Sequence, residues 1–219
     1  MDEQGGTTSI TELLRFFIPL ALTSMLTMFT HTIISSGLAR TVNPTGSIAA
    51  YAVALGLAEI FEAPVVLLRQ VVLAFVRDST SLRTIQRVYA VTVAVLMVAV
   101  LAIGFVPVLS LLVLQRVLGV SNELLPATLT AFRVMLILPV VSGFRCIYQG
   151  VLLMRRSTAL ILNGMFFRVG FMALLIFSFT RFGFVTGALV GAIAIIGGVV
   201  VEGAAAFYFG RNLLPTNTP

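Results

Sequence analysis

Six long apolar runs, joined by short connections, limit what this chain can fold into. A membrane-spanning helix needs about 20 consecutive apolar residues, because lipid offers no partner for backbone polar groups. The runs fall at about Leu13–Leu38, Ile48–Val76, Val88–Leu114, Ala127–Met154, Ala159–Phe179 and Thr186–Gly210. Of the 219 residues, 59% are hydrophobic and 10% charged, and mean hydropathy is +1.10. A soluble domain of this size has no use for so much apolar surface. The expected fold is an all-α integral membrane protein with six transmembrane helices over residues 13–210. A cytoplasmic segment (1–12) precedes them and a cytoplasmic tail (211–219) follows.

The 14 basic residues are all arginine, against eight acids. Arg15, Arg77, Arg83, Arg87, Arg155, Arg156 and Arg211 collect on one side of the predicted spans, and Arg40, Arg116 and Arg181 on the other. The positive-inside bias then puts both termini in the cytoplasm, with the bacterial inner membrane as the expected plasma membrane. Loops and spans account for the positive charge, so nucleic acid is not an expected partner; membrane lipid is. The acidic start, with Asp2, Glu3 and Glu12, does not read as a cleaved signal. Cys146 is the only cysteine, which excludes an internal disulfide.

Charge inside the apolar runs is the informative part. Arg69, Arg133, Arg145, Arg168, Glu59, Glu62 and Glu202 all lie in spans. At roughly 2.5–3.5 kcal/mol each on insertion scales, they cost on the order of 20 kcal/mol together, so by default they mark a functional site. Three carboxylates offset three arginines and leave one over, so a net positive cavity is expected. Arginine's planar fork suits carboxylate and phosphate, which points to an anionic small-molecule substrate. Arg133 and Arg145 are twelve residues apart, about 18 Å on a straight helix, so they form two stations unless the helix breaks at Pro139–Gly143. Arg145 shares its face with Ser142 and Gln149, and Glu202 is placed by depth to pair with Arg145 or Arg69.

Glu59, Glu62 and Arg69 share a face of the second span, and Pro64 should kink it near residue 60. Pro64, Pro139 and Gly143 are therefore the candidate hinges. In the first span Thr23, Ser24, Thr27, Thr30, His31 and Ser35 recur every three or four residues, a polar stripe suited to a cavity wall. The alternative for the stripe is hydroxyls bonded back to their own helix. Glu59, Glu62, Glu202 and His31 are the candidates for coupling to H+ or Na+; no other cofactor is expected. Gly183, Gly187 and Gly191 are spaced for close helix approach. No metal-ligand spacing or nucleophile–base motif appears, so an enzyme is not expected.

The segments TELLRFFIPLALT, LLRQVVLAFVRD, LTAFRVMLILPVVSGFRCIYQG, FFRVG, FGFVTGALVGAI and VVVEG together carry a family resemblance. Over nearly its whole length the chain resembles the MATE-like multidrug/oligosaccharidyl-lipid/polysaccharide exporter superfamily, and most closely its progressive ankylosis (ANK) branch. The resemblance implies alternating access and, for that branch, export of pyrophosphate, citrate or ATP-like anions. It places Arg69, Arg133, Arg145, Arg168 and Glu202 at the cavity. Its members have about twelve helices in two lobes, whereas this chain supplies one; a parallel homodimer would rebuild the pair. The expected function is thus a half-size, homodimeric exporter of an organic or phosphate-bearing anion. The competing readings are a lipid-linked pyrophosphate flippase, a multidrug exporter, and a non-transporting membrane subunit.

Overall fold

The computed structural model describes residues 10–76, 79–182 and 187–211, and every span is helical. The spans are Leu13–Leu38, Pro44–Phe75, Thr80–Phe105, Leu125–Met154, Thr158–Phe182 and Ala188–Gly210. In chain order the helices are α1 (Ile10–Leu38), α2 (Pro44–Val66), α3 (Leu68–Phe75), α4 (Ser79–Phe105), α5 (Pro107–Leu111), α6 (Leu125–Met135), α7 (Leu138–Met154), α8 (Thr158–Phe182) and α9 (Ala188–Gly210). A wide turn of helix, Leu112–Val117, continues α5. Arg77, Gly183, Thr186, most of the proposed N-terminal segment and residues 212–219 lie outside the described residues.

Local chemistry moved two boundaries from their expected places, and the third span also begins at Thr80 rather than Val88, which puts Arg83 and Arg87 in its first turns instead of a loop. The second span starts at Pro44 rather than Ile48, because the Asn43 side chain accepts from the Gly46 N–H at 3.1 Å and Pro44 stands at the first helical position. The third ends at Phe105 rather than Leu114. Val106, just before Pro107, is extended (φ −88°, ψ 110°), as the proline ring demands of its predecessor.

Two spans are broken. The second breaks at Leu67, between α2 and α3, three residues past Pro64 and further along than the expected kink near residue 60. The fourth breaks at Leu136–Ile137, where Pro139 falls in the first turn of the new helix α7. A proline has no N–H to give the carbonyl four residues back and its ring crowds that carbonyl, so α6 ends ahead of Pro139, whereas α2 runs on through Pro64 for two more residues before it breaks. Gly143 is not part of this break. It lies inside continuous α7, where an added Cβ would collide with Tyr89 and Val65. It is a close-approach site, and Gly150, one heptad on, serves the same way against Val72 and the Arg69 carbonyl.

The sixth span is the centre of the bundle. α9 packs on α8, α7, α6, α2 and α1, while α1 leans chiefly on α8 and the third span flanks the fourth and second. Small residues let the backbones approach. Gly191 faces the Tyr51 ring and Ile34, and Gly198 faces Met172 and Arg168. The side chains they meet, Tyr51, Ile34 and Met172, belong to the main core, in which Phe132, Met135 and Leu138 are also fully enclosed.

α7 ends in a Schellman turn. The Arg156 N–H donates to the Leu153 carbonyl and the Ser157 N–H to the Leu152 carbonyl, both at 2.9 Å. Arg156 therefore has φ 55°, the left-handed region that costs a side-chain-bearing residue about 1–2 kcal/mol.

Candidate functional site

A cavity of about 310 Å³ opens between α1, α2, α3, α7, α8 and α9. It gathers Glu59, Glu62, Arg69, Arg145, Gln149, Arg168 and Glu202, from four different spans, onto one polar wall. Thr23, Ser24, Thr27 and His31 of α1 line the other side. Thr30 and Ser35, the rest of the expected stripe, do not line it; Thr30 is buried.

Glu202 is the hub of the polar wall. Arg145 Nη1 and Arg168 Nη1 donate to its Oε2 at 2.8 and 2.9 Å, and Gln149 Nε2 donates to its Oε1 at 2.7 Å. Glu202 and Arg168 are buried, and Arg145 is nearly so. Two glycines frame the carboxylate. Gly198, one turn earlier on α9, admits Arg168 with its Cγ 3.1 Å from where a Cβ would stand, and Gly203 leaves 3.6 Å to the Arg145 Cβ. A Cβ at 198 would collide with Met172 and press on Arg168, whereas at 203 it would make ordinary contact with Arg145.

The cluster extends through Arg145. Its Nη2 lies 3.6 Å from Glu62 Oε1, and the same oxygen accepts a short hydrogen bond from the Ser142 hydroxyl. Charge-assisted bonds of this kind fix direction as well as energy. Not every donor is used, however. Among the described residues, Arg145 Nε and Arg168 Nε are buried without a hydrogen-bond partner, as is the Tyr51 hydroxyl. A buried unpaired donor costs about 1–3 kcal/mol, so the two guanidiniums keep donor capacity that a rearrangement of the site could bring to a further acceptor.

The α1 wall has a defined polarity. Thr23, Ser24 and Thr27 donate their hydroxyl protons to the carbonyls of Pro19, Leu20 and Thr23, one turn back. Both readings of the stripe therefore hold at once: the hydroxyls bond to their own helix and also line the cavity, turning acceptor lone pairs toward it. Glu59, His31 and Arg69 line the cavity without forming an ion pair among the described residues.

Arg133 is not brought to this cavity. Its Nε donates at 2.8 Å to the Gly104 carbonyl, and its guanidinium lies 5.3 Å from the centre of the Phe105 ring. Gly104 belongs to the last turn of α4, whose carbonyls have no partner within the helix. Arg133 caps that helix end. Without it the cavity holds Arg69, Arg145 and Arg168 against Glu59, Glu62 and Glu202, so the formal balance is even rather than positive. The excess is local: at the buried end two arginines share Glu202.

The sequence missed the meeting of Arg168 with Arg145 on one carboxylate, and Arg69 stays apart from Glu202. Gly198, four residues before Glu202 and hence on the same face, was the available signal. Among the described residues no group of His, Cys, Asp or Glu is arranged to hold a metal ion.

A family model described as progressive ankylosis protein (ANKH) matches residues 1–207. The chain belongs to that family. No curated protein matches it, and no solved structure does.

Proposed function

As a member of the progressive ankylosis protein family the chain is a multi-pass membrane transporter, and we propose that it exports an organic or phosphate-bearing anion by way of the Arg145–Arg168 pair. The carrying observation is the convergence of two guanidiniums, each with a spare Nε–H, on the single carboxylate of Glu202. In this reading Glu202 occupies the place that a substrate carboxylate or phosphate takes during the cycle. Arriving anion and Glu202 compete for the same forks. Neutralising Glu202 with a proton, or compensating it with Na+, releases both arginines together, which would couple ion binding to substrate binding. Arg69, lining the same cavity without an ion-pair partner among the described residues, is a further contact; Arg133 acts as a helix cap and not as a substrate ligand. Glu59, Glu62 and His31 remain candidates for carrying the coupling ion.

The breaks at Leu67 and at Leu136–Ile137 supply the joints for alternating access, with Pro64 and Pro139 beside them. The lobe is of the MATE-like type, both termini are cytoplasmic, and the membrane is the plasma membrane. A second copy, in a parallel homodimer, faces this lobe across α1. That part of the reading is supported by α1, on which Ser24, Thr27 and His31 of the polar stripe and the large apolar side chains Met25, Met28 and Phe29 are exposed.

A second reading has its own observation. Glu59 lines the cavity with no ion pair among the described residues, which suits a cationic substrate of a multidrug exporter. Uptake into proteoliposomes separates the two. Purified protein should move pyrophosphate or citrate, Arg168→Ala should abolish that flux with the protein still folded and inserted, and an organic cation should not compete. Full flux in Arg168→Ala, or competition by the cation lost only in Glu59→Gln, would overturn the anion reading.

A further inference from the structure

A second cavity, of about 740 Å³, lies where α1 and α8 begin and α7 ends, at one end of the bundle. Leu13, Phe16, Leu153 and Met154 make its apolar wall, and Arg15 and Arg156 line it as well. Both arginines are exposed, and among the described residues neither pairs with a protein group. No carboxylate belongs to the described lining.

The backbone gives an independent sign. Arg156 is the only non-glycine residue at positive φ among the described residues, and it occupies the position of the α7 Schellman turn that glycine ordinarily takes. The turn gains nothing from a guanidinium there. Strain kept at one residue points to a role for its side chain, and this side chain lines the cavity.

We infer that this cavity binds the phosphate-bearing headgroup of an anionic membrane lipid. Arg15 and Arg156 pair with the phosphate, whose oxygens match the arginine fork. The apolar wall takes the adjoining part of an acyl chain. A lipid fits better than a free anion because apolar side chains flank the two charges, and because the cavity sits at the ends of three spans, beside the exposed Leu14 and Phe17. Leu153 also lines the central cavity, so a lipid seated here braces a wall of the transport site. The assignment is independent of what the central cavity carries.

The test is lipid retention by the full chain, purified in detergent and measured by native mass spectrometry with phosphatidylglycerol or phosphatidylcholine added. Two arginines near a membrane surface predict a preference of about tenfold or more for phosphatidylglycerol. Arg156→Gly should lower it without harming the fold, since glycine is what the turn prefers, and Arg15→Gln with Arg156→Gly should bring the two lipids to parity. Equal retention in wild type, or an undiminished preference in the double variant, would overturn the proposal. So would displacement of phosphatidylglycerol by inorganic pyrophosphate bound at that site with equal affinity, which would make it a soluble-anion site.

Discussion

α9 and α1 are both long apolar helices, and they are used in opposite ways. In the most apolar stretch of α9, 56% of residues are buried inside the bundle; in that of α1 the share is 6%. α9 owes its place to glycines and alanines, which let α7 and α8 close on it, and it carries the single carboxylate that two arginines share. α1 is anchored only toward its far end, where Ile34 and Leu38 are buried and Gly37 meets Ile176. Its earlier turns carry the polar stripe with little packing behind it. One wall of the cavity is therefore fixed and the other is loosely held. The proposed transport cycle would use that asymmetry, with the packed wall holding the anion site and the less packed wall free to move.

The largest break in this contrast should come from Glu202→Ala. It leaves two buried arginines sharing no carboxylate, and removing one partner of such a cluster costs about 3–5 kcal/mol. Thermal unfolding in detergent should show a drop far larger than any single change in the first four turns of α1. Next is Gly191→Ala. The new methyl meets the rigid Tyr51 ring, with carbons at 2.5 and 2.7 Å, and Ile34 at 3.0 Å, an overpacking worth roughly 1–3 kcal/mol. It should also loosen the anchored end of α1, read as faster amide exchange there. The smallest effect belongs to Met28→Ala. That side chain is 75% exposed, so the stability of the single chain should change by no more than ~0.5 kcal/mol. A larger loss confined to the oligomer, seen as dilution-dependent unfolding, would place Met28 in the contact between copies and sharpen the contrast further.

Much of this was legible in the sequence. The six spans were, because lipid demands length and hydropathy and both can be counted. So was the shared face of Ser142, Arg145 and Gln149, because helical spacing is regular; all three side chains join the polar cluster. Which partner meets which was not legible. Arg133 and Arg168 look alike in sequence, as lone arginines in apolar runs. One caps the open end of α4 and the other pairs with Glu202, and only the packing of distant helices decides between them. The same holds for Gly143, where the pairing of glycine and proline suggested flexibility but the partner is a tyrosine ring. Boundaries moved where a polar cap or a proline, neither visible to hydropathy, begins or ends a helix, as at Asn43 and Pro107.

The central claim is that Glu202 stands where a substrate anion binds. Glu202→Gln keeps a side chain of the same shape and removes its charge, freeing Arg145 and Arg168. The direct measurement is the melting temperature of this variant, with and without pyrophosphate or citrate, at constant ionic strength. If the account is right, the anion stabilises Glu202→Gln far more than it stabilises the wild type, and the gain disappears when Arg168→Gln is added. An equal shift in all three proteins, or none in any, would contradict it.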